Sequence, residues 1–213
     1  MARRTKEEAL ETRNTLLDSA EILFQSQGVS RTTLQNIALH AGVTRGAVYW
    51  HFKDKADLFD AMMERVTLPL ESYFSHEQSP EETSSDSGTQ ALMHTRSAIL
   101  KALHKIVNDP QTRSVLEIAS QKVEYTEGIR NIRLRHLTAC NGFLWRVTQG
   151  LDTASRQKSL KLPVPSALAA RGLHALIDGL IQNWLLDPQA FDLTQAGQST
   201  MDIYFKGLGF SIE

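Results

Sequence analysis

The sequence lacks the features that mark several large classes of protein. It has a single cysteine, Cys140, which excludes an intramolecular disulfide and any zinc site built from several cysteines. No apolar run approaches the ~18 residues of a membrane span, and no hydrophobic segment follows the basic N-terminus as it would in a secretory signal. By elimination, we expect a cytoplasmic protein that has no membrane partner.

Net charge is also nearly absent. The 23 lysines and arginines are balanced by 24 aspartates and glutamates, which gives a net charge of −1. The whole molecule is therefore no polybasic coat for nucleic acid, and any such binding must come from a local patch. Two basic patches are present, at residues 3–6 and 31–55, and the second is opposed by Asp54 alone.

Glycine and proline are sparse, at 12 and 6 residues, and no β-hairpin signal appears. Apolar residues recur instead with the period of a helix along almost the whole chain. The sequence thus predicts an all-α protein of about nine helices. Two short helices are expected within residues 31–55, and the others at residues 7–27, 54–77, 89–108, 110–124, 126–157, 166–186 and 192–206.

Local chemistry predicts the breaks between these helices. Residues 78–88 are polar and rich in serine, and the Asp109–Pro110 pair suits the start of a helix. Residues 161–165 contain two prolines and form a further break. Pro69 lies inside the predicted helix 54–77, so we expect a kink or a break near residues 65–68.

The stretch 31–55 predicts two short helices joined by a tight turn. Thr32 and Gln35 have the spacing of a capping box for the first helix. Gly42 suits a left-handed turn position, and Thr44 can cap the second helix. This order of elements is typical of a helix–turn–helix.

The second of these helices has an unusual outer side, which carries no carboxylate, one glycine, two large aromatic rings and a cation. Arg45 can pair with guanine or with phosphate. The hydroxyl and ammonium groups of Thr44, Tyr49 and Lys55 can donate to phosphate oxygens. The alternative is that Tyr49 and Trp50 fill a small core and that the pattern arises by chance.

The residues themselves resemble a known family. The segment VTRGAVYWHFKDKADLF is similar to the signature of the TetR family of bacterial transcriptional repressors. The opening MARRTKEEALETR and the later DGLIQNW resemble its multidrug-efflux branch, the AcrR-type repressors. The strong part of the resemblance covers residues 1 to about 65, and a weaker part covers the last third of the chain.

The resemblance implies an N-terminal three-helix DNA-binding domain over residues 1–55, with a basic arm at 1–6. Residues 56–213 would form a C-terminal domain for ligand binding and dimerisation, and helix 54–77 would connect the two. The residues expected at the DNA are Arg3, Arg4, Thr33, Thr44, Arg45, Gly46, Tyr49, Trp50, His51 and Lys55.

Helices 166–186 and 192–206 look too apolar for a monomer. We expect them to meet their copies across a two-fold axis in a four-helix interface, as the resemblance also implies. A homodimer would then read two half-sites of a near-palindromic double-stranded operator. A deeply buried monomeric core is the alternative.

Asp178 lies in an otherwise apolar stretch, with His174 and Gln182 one turn to either side, so the three form a polar line on one helix face. This line serves either a pocket for cationic or drug-like ligands or a polar cluster between subunits. By analogy with related repressors, the pocket walls would come from apolar or small residues, each of which is equally consistent with ordinary core. These are Leu70, Ile99, Ala102, Leu103, Leu116, Ser120, Phe143 and Ile177.

The function we expect is that of a ligand-responsive DNA-binding repressor of a multidrug efflux operon, released by a small lipophilic or cationic inducer. No HExxH, GxSxG or phosphate-binding glycine motif is present, so neither catalysis nor a metal or cofactor is expected. Two alternatives remain open, a ligand-independent DNA-binding regulator and a ligand-binding adaptor that no longer binds DNA. The sequence does not decide between repression and activation.

Overall fold

The computed structural model describes residues 6–75, 88–123 and 130–211. These ranges contain nine α-helices and no strand, which confirms the predicted all-α fold. None of the helices described there has the length and apolar character needed to cross a membrane. The helices are α1 (Lys6–Gln27), α2 (Leu34–His40), α3 (Arg45–His51), α4 (Lys55–Ser75), α5 (Gly88–Asn108), α6 (Pro110–Gln121), α7 (Arg130–Gln157), α8 (Ser166–Leu186) and α9 (Leu193–Gly207).

The chain divides into two compact units. The first comprises Met1–Leu68 with Gln111–His136, and the second comprises Pro69–Pro110 with Leu137–Glu213. The first unit therefore contains the start of α4 and all of α6 after its first residue, as well as the three N-terminal helices. The predicted assignment of DNA binding to residues 1–55, and of ligand binding and dimerisation to residues 56–213, concerns function and stays a prediction.

The first half of α4 packs in the same core as α1. The rings of Phe24 and Phe59 lie 5.9 Å apart, and Arg65 pairs with Asp18 at 2.6 Å. This shared core explains why the first unit continues beyond residue 55. Its buried apolar residues are Leu16, Leu17, Ala20, Leu23, Phe24, Ile37, Ala38, Val48, Phe52, Leu58, Phe59, Met62 and Val66.

Helix α4 runs through Pro69 without interruption. Proline removes only one intrahelical hydrogen bond, while the apolar stripe that precedes it is buried along three turns of α4. The break expected near residues 65–68 is therefore wrong, and the kink given as its alternative stays a prediction.

The cap of α2 lies one residue later than the sequence predicts. Thr33 Oγ1 accepts from the Asn36 N–H at 3.1 Å, and Asn36 Oδ1 accepts from the Thr33 N–H at 3.0 Å. Thr32 is fully buried, and its hydroxyl donates to the Gly28 carbonyl at 2.9 Å. The predicted pairing of Thr32 with Gln35 is wrong because the Thr32 side chain is used inside the preceding turn.

The local predictions for Gly42 and Thr44 are confirmed, and Gly28 and Asp192 act in similar ways at the ends of other helices. Gly28 ends α1 and Gly42 lies in the turn between α2 and α3, both with positive φ, at +82° and +67°. Thr44 caps α3, and its Oγ1 accepts from the Ala47 N–H at 3.2 Å. Asp192 caps α9 in the same way through the Gln195 N–H at 2.9 Å.

Within the second unit, α9 packs closely on α5 and α8. A Cβ placed on Gly197 of α9 would lie 2.2 Å from Leu103 Cδ1 of α5. A Cβ on Gly172 of α8 would lie 2.4 Å from the Tyr204 hydroxyl, which donates to the Ala169 carbonyl at 2.7 Å. A side chain at either position would force its neighbour to move, so glycine allows the close packing at these two crossings.

We expect Gly197→Ala to lower the free energy of unfolding by about 1–3 kcal/mol, because the added methyl overpacks a closed core. Gly207→Ala is the matched control, since nothing lies within 4 Å of a Cβ there. That control should be neutral or stabilising by up to ~1 kcal/mol through helix propensity. Urea denaturation followed by circular dichroism measures both, and equal effects would contradict the close α5–α9 crossing.

Candidate nucleic-acid interface and ligand site

Helix α3 displays the predicted side chains to solvent. Tyr49 and Trp50 are 48% and 72% exposed, whereas Val48 on the opposite side is fully buried. The alternative in which the two aromatic rings fill a small core is therefore wrong. Thr44, Arg45 and Gly46 are exposed as well, and no carboxylate lies on α3.

Arg45 and Tyr49 form a pair on this face. Arg45 Nη2 donates to the Tyr49 hydroxyl at 3.3 Å, and the guanidinium lies 5.4 Å from the centre of the ring. Their spacing of four residues places them one turn apart. A fork of N–H donors and a phenol hydroxyl are thus presented together, which suits both base edges and phosphate oxygens.

Gly46 adds no side chain to the exposed face of α3. A Cβ at this position would approach only Thr44 Oγ1, at 3.9 Å, so packing within the chain does not require glycine. A glycine on an exposed helix face that packing does not demand allows another backbone to come close.

The threonine hydroxyls differ in what they can still donate. Thr44 Oγ1 accepts from its own helix and keeps its proton for an outside acceptor. Thr33 Oγ1, by contrast, donates to Asn36 Oδ1 at 2.5 Å, so its proton is used within the cap. His51 is half-buried and stands edge-on to Trp50, with ring centres 4.5 Å apart.

Lys55, which the sequence predicts at the DNA, has partners within the chain. Lys55 Nζ donates to the carbonyls of Val29, Ser30 and Thr32 at 2.7, 3.2 and 3.0 Å. An ammonium group has three N–H donors, and here each has an acceptor in the protein. Burial also lowers the pKa of this ammonium group.

The N-terminal part of the chain carries other basic groups. Arg31 and Lys53 are exposed, while Arg3 and Arg4 lie outside the described residues. Arg13 of α1 lies 5.3 Å over the ring of Phe52, the residue that ends α3. The sequence does not indicate this contact, because the two residues are remote in the chain and neither has a local motif.

The predicted ligand-site residues occupy different environments. Ile99, Leu103 and Ile177 are buried in the second unit, and Leu103 packs against Gly197, which is the core alternative for that residue. Leu116 and Ser120 belong to the first unit, and the exposed Ser120 donates to the Leu116 carbonyl at 2.7 Å. Those of intermediate burial are Ala102, Phe143, His174, Asp178 and Gln182, and the side chain of Leu70 lies outside the description.

Helices α7 and α8 bring part of this set together. The rings of Phe143 and His174 lie 5.5 Å apart. One turn away, Asp178 lies close enough to Cys140 to act on its thiol: burial raises the pKa of Cys140, and the negative charge of Asp178 raises it further. The thiol is therefore protonated near neutral pH, which does not favour a nucleophilic role.

The Asp178 carboxylate is the unusual member of this cluster. It is half-buried and forms no hydrogen bond or ion pair with any residue in the part of the chain that the structure describes. Within the same ranges, no group of three or more histidine, cysteine or acidic side chains is arranged to hold a metal ion. The cluster can instead offer one anionic oxygen pair beside aromatic rings, which suits an organic cation or a hydrogen-bond donor.

Comparison with known proteins finds a family match for each half of the chain. Residues 16–62 match the family described as bacterial regulatory proteins, tetR family, and residues 90–210 match the C-terminal region of MAATS-type transcriptional repressors. The chain is 36% identical over 208 residues to the HTH-type transcriptional regulator AcrR of Shigella flexneri, covering 95% of this chain and 92% of the relative.

Solved structures give the same result. NalD, the secondary repressor of the MexAB-OprM multidrug efflux pump in Pseudomonas aeruginosa, has a TM-score of 0.81 and 36% identity, with 95% of this chain and 98% of NalD covered. The SmeT–triclosan complex has a TM-score of 0.77 and 29% identity, covering 92% and 90% of the two chains.

These matches span almost the whole chain, and they confirm the resemblance to the AcrR-like efflux regulators that the sequence predicted. The matched proteins are transcriptional regulators and not enzymes. The chain belongs to the TetR family of bacterial regulatory proteins, with a helix–turn–helix at its N-terminus and the C-terminal region of a MAATS-type transcriptional repressor.

Proposed function

We propose that this protein represses a multidrug efflux operon and leaves its operator when a lipophilic or cationic compound binds. The observation that carries the proposal is the exposed, carboxylate-free face of α3, with Arg45 and Tyr49 paired and Trp50 beside them. The similarity of this chain to NalD and AcrR supports the choice of an efflux operon.

The DNA partner in this proposal is double-stranded. Helix α3 has seven residues, and a short helix with its N-terminal residues exposed can lie in the major groove. Arg45 is placed to pair with guanine, and the hydroxyls of Thr44 and Tyr49 are placed to donate to phosphates on either side. Because the face lacks carboxylates, no charge repels the phosphate backbone there.

The dimer in this proposal uses α8 and α9. Leu168, Leu176, Gly179 and Leu186 lie on one side of α8, where the three leucines are exposed, and Ile203 of α9 is 72% exposed. Nothing lies within 4 Å of a Cβ on Gly179, so the groove at that point is open in the single chain. An exposed apolar stripe with a small residue at its centre suits a two-fold helix contact.

The inducer in this proposal meets the Asp178 cluster. Triclosan in complex with SmeT supports a lipophilic class of ligand, and the free Asp178 carboxylate beside Phe143 and His174 supports a cationic class. Ligand binding would then shift the population away from the DNA-bound conformation by no more than its differential affinity for the two states. Helix α4 is the connector, since it continues from the first unit into the second without interruption.

A gel-shift titration tests the proposal. The purified protein is titrated onto DNA from upstream of its own gene and its neighbours, at two salt concentrations, with and without a panel of lipophilic and cationic drugs. Selective binding that a drug weakens is the expected result. Selective binding that no compound in the panel disturbs would favour a ligand-independent regulator, and drug binding without DNA binding would favour an adaptor.

The Arg45–Tyr49 pair gives the first prediction. Arg45→Ala should cost about 1–3 kcal/mol of operator affinity and relax the preference at one base position, because a bidentate contact to a base is lost. Tyr49→Phe keeps the ring under Arg45 and should weaken binding to all sequences alike. Fluorescence anisotropy with an operator duplex and its single-base variants measures both, and a sequence-independent loss in Arg45→Ala would make Arg45 a phosphate contact.

The Asp178 carboxylate gives the second prediction. Asp178→Asn should weaken cationic inducers more than neutral ones, because only the cation loses a charge-assisted contact. Isothermal titration calorimetry with matched cationic and neutral compounds measures the difference. The same variant should lower the pKa of Cys140 and so speed its alkylation at pH 8, which verifies the change of charge independently. Equal loss for both ligand classes would indicate a structural role for Asp178.

The open site at Gly179 gives the third prediction. Gly179→Leu should leave the folded single chain intact but convert the dimer to a monomer, since the side chain fills the space that a second helix would occupy. Gln149→Leu, on an exposed position of α7, is the matched control. Analytical ultracentrifugation measures both, and an unchanged dimer in Gly179→Leu would exclude this face as the interface.

A further inference from the structure

The turn between α1 and α2, residues 28–32, is held from two directions. The Val29 N–H donates to the Lys122 carbonyl just after α6, at 3.1 Å. From the other side, Lys55 at the first position of α4 donates to three carbonyls of the turn, at 2.7, 3.0 and 3.2 Å. All of these residues belong to the first unit.

We propose that Lys55 is a positioning residue for operator recognition, which fastens this turn and the start of α2 to α4 and does not itself bind phosphate. The inference rests on the proposed DNA-binding function. It assigns a role to a lysine that lies in the basic patch and that the sequence alone places at the DNA.

The hydrogen bonds of Lys55 support this positioning role. The Lys55 ammonium group has three N–H donors, and each has a carbonyl acceptor within 3.2 Å. To reach a phosphate it would have to abandon a charge-assisted bond and leave a carbonyl without its donor. Lys55 is the first residue of α4, where the helix dipole disfavours a cation, and its three carbonyl acceptors offset this effect.

The held segment leads directly into the recognition element. The Thr32 carbonyl accepts from Lys55, the Thr32 hydroxyl donates to Gly28, and the next residue, Thr33, caps α2. Helix α2 is joined to α3 by the turn at Gly42. The Lys55 contacts therefore fix where α2 begins relative to α4, and α2 in turn sets the position of α3.

The two roles differ in their salt dependence. Each phosphate contact releases a counterion, so losing the contact from both subunits of a dimer makes the slope of log K against log salt concentration shallower by about 1.8, which is about 0.9 per subunit. A positioning contact lowers the affinity and leaves this slope unchanged. Arginine binds phosphate well, so Lys55→Arg would keep a phosphate contact. Its guanidinium group is planar, so it would not satisfy three converging carbonyls as an ammonium group does.

The experiment measures operator affinity by fluorescence anisotropy over a series of salt concentrations for wild type, Lys55→Met, Lys55→Arg and Lys53→Met. Lys53 is exposed and two residues away, so its variant controls for the loss of one charge. We expect both Lys55 variants to bind at least about ten-fold more weakly with the wild-type slope, and Lys53→Met to bind more tightly than either. Thermal melts by circular dichroism set a temperature at which every variant is folded.

Hydrogen exchange gives a second readout that needs no DNA. Lys55→Met and Lys55→Arg should speed amide exchange in residues 29–37 relative to Lys53→Met. A slope that is shallower by about 0.9 per subunit in Lys55→Met, or wild-type affinity in Lys55→Arg, would overturn the inference. Unchanged exchange in residues 29–37 would overturn it even if no operator were found, whereas a wild-type protein that binds no upstream DNA would refute the proposed function itself.

Discussion

The packing of α4 onto α1 is the constraint on which the DNA-reading unit depends. Helices α2 and α3 have seven residues each, and helices this short are not stable alone in water. They fold because α1 and α4 provide a platform, in which Phe24 lies against Phe59 and each fully buried side chain contributes about 1.5–3 kcal/mol. That platform lets α3 bury only Val48 and leave its aromatic rings in solvent. Tyr49 and Trp50 can thus remain exposed because other helices build most of the core.

The features that could be predicted from the sequence are those set by residues close together in the chain. Helix α8 has the predicted bounds because Pro165 precedes it and Asp187 follows it, and both act within one or two residues. Where two neighbouring residues carry the same chemistry, the sequence does not choose between them. Thr32 and Thr33 can both cap a helix, and the choice falls on Thr33 because Thr32 is buried beneath the turn. The partners of Lys55 lie 23 to 26 residues away, so no local pattern could indicate them.

The candidate DNA-binding face could be predicted from the sequence better than the candidate ligand site, because its signal is local. The face of α3 follows from residue types on a single helix, and a glycine, an arginine and two aromatic rings without carboxylates are unusual enough to indicate a ligand. A cavity wall is made of the residues that also make a core, so Leu103 could not be assigned until its packing against Gly197 was known. The closeness of Cys140 to Asp178 depends on the register of α7 against α8, which has no signature in either helix alone.

Asp178 and Gly179 connect the ligand site to the proposed dimer. The half-buried Asp178 carboxylate has no hydrogen bond or ion pair in the described chain, so its acceptor oxygens are not used there. Its presence is explained if it meets a partner from outside the chain. The next residue points about 100° away around the helix, toward the open stripe of α8. In the proposed function, α8 would therefore meet an inducer on one side and a second subunit on the adjacent side, so a ligand that displaces α8 would act on the dimer contact as well.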